Sequence, residues 1–271
     1  MKKIIVGSLL ILLGIWIGCS DDDPTSTTTL KKYPTELGNE WEYSTTFTLI
    51  FYDSSGNVYG NDTLFIGNTI AKVIEQDVTL GNIKDLVVIN SYDLDTPQNI
   101  NYVWYSNSSS GLSGIAYAGA GSSQPILPKC VSKISDLMIQ NLFKQNLNPL
   151  LDITQRNSFD DSLQYYDPVR KVLVYPLAVG KTWIQTISPF TIKRTIQSKT
   201  IVETPAGSFN CFKIRTEIEE FPNSTYEDFI NTDVGLILRK TEVDSMAHIT
   251  ELGDTIGFFN ATSISELIRR E

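Results

Sequence analysis

Tyr175-Pro176-Leu177-Ala178-Val179-Gly180-Lys181-Thr182-Trp183 opens a stretch, running on to Lys240, whose landmarks occur twice in the chain. Tyr33, Pro34, Gly38 and Trp41 repeat the opening spacing Y-P-x-x-x-G-x-x-W. Gly81 answers Gly207 of the turn Thr204-Pro205-Ala206-Gly207. Tyr102, Tyr105, Asn107, Gly111 and Leu112 match Tyr226, Phe229, Asn231, Gly235 and Leu236 without a gap. Shared landmarks in the same order predict an internal duplication, with copies over 33–125 and 175–271 and a helical or loop connector over 126–174.

Each copy reads as short strands separated by turn residues. Trp41 to Tyr52, Thr63 to Ile74, Lys84 to Tyr92, Ile100 to Ser106 and Leu112 to Ala118 are rich in β-branched and aromatic residues. Trp183 to Ile187, Thr191 to Glu203, Phe209 to Glu219 and Leu236 to Val243 read the same way, and Thr262 to Arg270 as a closing strand. Within Phe209 to Ile218, strict alternation puts Phe212, Ile214, Thr216 and Ile218 on one face. Cys211, Lys213, Arg215 and Glu217 share the other, which is expected to be half-solvated. Ser132 to Asn146 is the helix candidate, through Ile134, Leu137, Met138 and Leu142 at helical spacing. Asp152 to Asp167 reads as a loop. The expected fold is mainly β: a curled antiparallel sheet built from two related halves, forming one domain over 33–271, with one packed helix.

The amino terminus is a different kind of segment. Lys2 and Lys3 precede an almost unbroken apolar run, Ile4 to Ile17, that ends at Gly18-Cys19. The run is short for a membrane span and has the flanks of a secretory signal. A small residue before Cys resembles the bacterial lipobox, which implies a signal peptide over 1–18, cleavage after Gly18 and lipidation of Cys19. Several acyl chains make a stable anchor where one is marginal. Ser20-Asp21-Asp22-Asp23 resembles the acidic export signal of Bacteroidetes-type surface lipoproteins. The expected location is the outer membrane, on the periplasmic or the cell-surface side. Residues 19–32 are then the lipidated Cys and a polar tether.

The turn Pro205-Ala206-Gly207-Ser208-Phe209-Asn210-Cys211-Phe212-Lys213 is similar to the PAG-[ST]-F-x-C-[FY]-K turn of uncharacterised bacterial lipoprotein domains. Pro176 to Trp183 and Val234 to Ile237 match the segments that flank it there. Those domains are similar in fold to the Lol-type carriers, an antiparallel sheet curled around a helix. The resemblance implies a carrier-like body able to hold an apolar ligand, and it transfers no catalytic residue.

Net charge is −9, which argues against nucleic acid as a partner. The 12 Tyr, 12 Phe and 4 Trp suit a strand-rich body. His248 is the only imidazole, and no G-x-S-x-G elbow accompanies it, so it is expected to be an ordinary sheet residue. One His and scattered Cys leave no metal set, and no cofactor is expected. Asp53-Ser54-Ser55-Gly56-Asn57 lacks the acids of a calcium loop and reads as a hairpin turn. Gly119, Gly121, Ser122 and Ser123 form a small-residue patch without a following Lys, read as a loop. Asp160-Asp161, Glu219-Glu220 and Glu227-Asp228 are the acidic pairs a glycoside hydrolase would need. Cys130 and Cys211 are open to a disulfide or to separate burial. Thr63, Ser162, Ser245 and Thr255 fall in Asp-Ser/Thr-apolar triplets that resemble Bacteroidetes O-glycosylation acceptors, expected on turns. The function expected is a non-catalytic cell-envelope lipoprotein, not an enzyme. It would contact the membrane through its lipid anchor and bind an apolar ligand, such as a lipid, or an envelope protein. The alternatives are a structural or surface-assembly lipoprotein and a carboxylate-dependent glycoside hydrolase.

Overall fold

The computed structural model describes residues 30–119 apart from 96 and 99, together with 163–187, 190–219, 222–249 and 255–271. The first six strands are β1 (Glu40–Asp53), β2 (Val58–Leu80), β3 (Ile83–Asp93), β4 (Asn101–Asn107), β5 (Gly111–Gly119) and β6 (Gln164–Val174). The second six are β7 (Thr182–Ile187), β8 (Phe190–Thr204), β9 (Gly207–Ile218), β10 (Ser224–Asn231), β11 (Gly235–Ile249) and β12 (Thr255–Arg270). All belong to one antiparallel sheet of order β6-β5-β4-β3-β2-β1-β12-β11-β10-β9-β8-β7. Every described neighbour along the chain is therefore a neighbour in the sheet except β6 and β7, which are its two edges. The sheet curls until those edges meet. The described residues contain no helix, and the helix candidate 132–146 lies outside them.

Alternation sets which side faces inward. In β1, Trp41, Tyr43, Thr45, Phe47 and Leu49 are buried, and the residues between them are more exposed. In β12 the inward row is Phe259, Ala261, Ser263, Ser265 and Leu267. The two rows meet with complementary sizes: Phe47 opposite Ser263, Leu49 opposite Ala261, Tyr43 opposite Leu267. Thr45 and Ser265, also opposite, join their buried hydroxyls at 2.7 Å, so neither is left unsatisfied. This seam between β1 and β12 links the first six strands to the last six.

The edges close by side chains rather than by a backbone ladder. From β7, Gln185 donates its amide N–H to the Val169 carbonyl at 2.7 Å and accepts the Lys171 N–H at 3.0 Å. Its carboxamide thus substitutes for the peptide group of a neighbouring strand. Trp183 Nε1 (3.3 Å) and Arg194 Nη1 (3.1 Å) both donate to the Lys171 carbonyl. An otherwise open edge is satisfied internally.

The paired landmarks occupy matching places. Trp41 and Trp183 are each the second residue of their strands, β1 and β7. Gly38 donates its N–H to Val73 of β2, and Gly180 donates to Ile196 of β8. Both glycines take positive φ, +91° and +86°. Gly81 and Gly207 turn β2 into β3 and β8 into β9, and Asn107–Gly111 and Asn231–Gly235 turn β4 into β5 and β10 into β11.

Two expectations are corrected. The stretch read as a loop to Asp167 ends in strand β6, which begins at Gln164. Cys211, placed on a half-solvated face, is fully buried. A register shift between Ile196 and Ser198 interrupts the β8–β9 ladder. Beyond it the hairpin folds over, bringing the Ala206 N–H to the Leu267 carbonyl at 3.4 Å. Val202 and Cys211 enter the core there, with Ala206 and Phe209 against it.

Replacing Gln185 by Ala removes the partner of the Lys171 N–H and of the Val169 carbonyl, two groups on exposed residues of β6. The expected loss is about 0.5–1.5 kcal/mol per hydrogen bond, read as a lowered urea midpoint with β content retained.

Candidate functional site

Polar and titratable side chains converge where the segment preceding β1 crosses the end of the sheet. Tyr33, Trp41 and Tyr43 come from that segment and from β1, and all three close on Val234-Gly235-Leu236, the turn into β11. Trp41 Nε1 donates to the Val234 carbonyl at 2.6 Å. The Leu236 N–H donates to Tyr33 Oη at 3.3 Å, while Tyr43 Oη donates to the Leu236 carbonyl at 3.0 Å. Gly235 is required between them. A Cβ there would lie 2.9 Å from Tyr33 Oη and 3.1 Å from Trp41 Nε1, at φ +108°.

The second opening is held at the first half's turn. The Tyr175 N–H donates to the Ser110 carbonyl at 3.0 Å, and its hydroxyl donates to Asn107 Oδ1 at 3.0 Å. The same Tyr175 hydroxyl accepts the Tyr33 N–H at 2.7 Å, and Asn107 Nδ2 donates to the Tyr33 carbonyl at 2.8 Å. Each opening is therefore seated on the closing turn of the other half, and the two tyrosines meet in the middle. Lys31 reaches Asp233 at 2.7 Å, an exposed pair of small energetic weight.

Deeper inside, Asp228 of β10 and Arg239 of β11 form a two-point ion pair. Nε lies 2.6 Å from Oδ1 and Nη2 lies 2.8 Å from Oδ2. Their register partners Ile214 and Ser265 are buried, which puts the pair on the inner face. Glu227, one residue earlier, points to the opposite face and pairs with Lys213 at 2.7 Å. The adjacent acids Glu227 and Asp228 thus cannot face one substrate together. Arg170 is buried in β6, its guanidinium 4.3 Å from the centre of the Tyr166 ring.

The other candidates fall as follows. Cys19, Cys130 and the pair Asp160-Asp161 lie outside the described residues, as does Glu220 beside the exposed Glu219. Cys211 is a buried thiol that donates to the Phe209 carbonyl at 3.5 Å, and burial pushes it up to about 12. His248 lies in β11. Asp53 accepts the N–H groups of Ser55 (2.8 Å) and Asn57 (2.9 Å), and its hydrogen bonds with Asn57 foremost hold its carboxyl below the usual range. Thr63, Ser245 and Thr255 lie in strands β2, β11 and β12 rather than on turns, and Ser162 lies outside the described residues. Among the described residues no group of three His, Cys, Asp or Glu is placed to hold a metal ion. The clamp of Tyr33 and Trp41 on Gly235 was not foreseen, although all three residues were singled out as landmarks.

No protein-family model and no curated protein matches the chain. Solved structures similar to it include the following two. One is a Bacteroides fragilis protein, described as exported and of YmcC-like fold, with 13% identity over 89% of this chain and 99% of that one and a TM-score of 0.33. The other is a protein described as a lipoprotein of Parabacteroides distasonis, with 13% identity over 88% of this chain and 97% of that one and a TM-score of 0.29.

Two outcomes are expected at this site. Gly235→Ala forces either Tyr33 or Trp41 off the turn and should cost about 2–4 kcal/mol, measured by urea unfolding. Burial raises Tyr33, Tyr43 and Tyr105 well above the usual tyrosine range, and Tyr175 to about 12. With Cys211 also raised, the folded state resists deprotonation that the unfolded chain undergoes from roughly pH 9–10 upward. Stability is thus fully present below about pH 9. It falls as pH rises toward 12, which a urea midpoint series across that window would record.

Proposed function

We propose that the protein is a non-catalytic lipoprotein of the cell envelope, anchored through Cys19 in the outer membrane, whose sheet serves as a rigid scaffold for an envelope partner. One observation carries the non-catalytic part. Among the described residues, the titratable side chains gathered at this end of the inner face are engaged with the protein's own groups: Asp228 with Arg239, Tyr33 and Tyr43 with Leu236, Tyr175 with Asn107. A general acid or nucleophile needs a face free for substrate, whereas a scaffold needs such groups spent on rigidity. The anchor rests on Lys2-Lys3, the apolar run and Gly18-Cys19. The two six-strand halves are proposed to be copies of one unit, on the matching places of Trp41 and Trp183, Gly38 and Gly180, and the two Asn-to-Gly turns.

Carriage of an apolar ligand is the second reading, supported by the aromatic and aliphatic inner face. Lipid extraction and mass spectrometry of the purified chain separates the two: a stoichiometric lipid supports the carrier, and a clean spectrum supports the scaffold. For the anchor, cells fed an alkynyl palmitate should label the wild-type chain and leave Cys19→Ser unlabelled. An unlabelled wild-type chain would refute lipidation.

A further inference from the structure

We propose that the end of the sheet bearing Leu37 and Val179 sits directly on the lipid bilayer, with these two side chains entering the interface. The inference rests on the anchor at Cys19 and deepens that reading. Leu37 and Val179 occupy equivalent places, each immediately before the left-handed glycine of its opening, Gly38 or Gly180. Both are exposed, at 62% and 55%. Their turns precede β1 and β7, six strands apart in a twelve-strand order, so they stand on opposite sides of the curl. They share one end of it, because Tyr33 and Tyr175 of the same two openings touch there. Two separated apolar points on one rim define a seat.

The chain outside the described residues selects that end. Leu30, packed against the core, marks where the tether leaves, two residues before Lys32 and next to both openings. From Cys19 to Leu30 a fully extended chain reaches roughly 36–40 Å. A second exposed apolar group, Val58, Tyr59, Ile256 and Phe258, lies at the opposite end of β1. β1 has 14 residues and so spans roughly 46 Å. With strands tilted roughly 35–45° in a closed curl, that length is roughly 33–38 Å of height. Standing on the opposite end would therefore demand an almost fully extended tether, against an r.m.s. span of roughly 17–20 Å for a flexible chain of this length. The charges nearest the openings are of both signs: Lys31 is paired to Asp233, Glu36 stands beside Asn39, and Lys32 and Lys181 are held by backbone carbonyls, so the contact proposed is apolar rather than electrostatic.

The test uses the acylated full chain in vesicles of phosphatidylethanolamine and phosphatidylglycerol, 3:1 by design, and in neutral phosphatidylcholine. p-Benzoylphenylalanine is placed singly at positions 37, 179, 59 or 258, and phospholipid adducts are counted by mass spectrometry after illumination. Adducts at 37 and 179 are expected to exceed those at 59 and 258 at least fivefold, in both lipids. Acylated protein that floats with the vesicles but gives no such excess overturns the seat and leaves the anchor standing. Protein whose intact mass shows no acyl chain overturns the anchor, and the seat with it. Adducts only on anionic vesicles overturn the apolar contact.

Discussion

Three aromatic side chains closing on a single glycine turn are the constraint on which the structure depends. Trp41, Tyr33 and Tyr43 use an indole N–H and two hydroxyls to take up the backbone groups of Val234 and Leu236. Each brings a large apolar body into the core and ends in one polar atom that must be satisfied there. The turn supplies those partners at the depth where the rings end. Because the rings belong to the first strand and the segment before it, and the turn leads into the eleventh, the contact fixes the curl of the sheet across the β1–β12 seam. Burial of the rings and satisfaction of their polar tips are therefore one event.

The same economy extends along the inner face. A curl of twelve strands cannot be lined only by aliphatic residues of one size, and here large and small residues alternate across the strands. Small hydroxyl residues sit opposite Phe47 and beside Tyr43, and the buried hydroxyl pair Thr45–Ser265 satisfies itself. The Asp228–Arg239 pair is held at two points and lies between buried neighbours. Removing one partner of such a pair leaves an uncompensated charge, which costs far more than the intact pair contributes. An interior of this kind enforces one register.

The meeting of β6 and β7 shows a second solution to an edge. A ladder would demand that two strands arriving from opposite ends of the sheet match spacing over their whole length. A carboxamide asks for only one donor and one acceptor in the right place. Gln185 meets that condition, and Trp183 and Arg194 take the remaining carbonyl. The curl thus closes while its two edges keep their own twist.

Much of this was legible in the residues. Alternation in Trp41 to Leu49, the β-branched and aromatic runs, and the turn glycines at 81, 111, 207 and 235 follow from local chemistry: side chains alternate in strands, and positive φ favours glycine. The doubled spacing Y-P-x-x-x-G-x-x-W likewise belongs to the sequence. Strand β6 was not legible, because Tyr165 and Tyr166 with Asp167-Pro168 carry no clean period. Cys211 was assigned to the wrong environment, because a one-residue register shift in β8 turns the hairpin beyond it. Only the tertiary structure decided that each opening docks on the other half's turn, and that Gln185 rather than a backbone ladder joins the edges. Those are contacts between residues far apart in the chain. Local propensity acts over a few residues, whereas partners such as Trp41 and Val234, 193 positions apart, are chosen only when the whole sheet has curled.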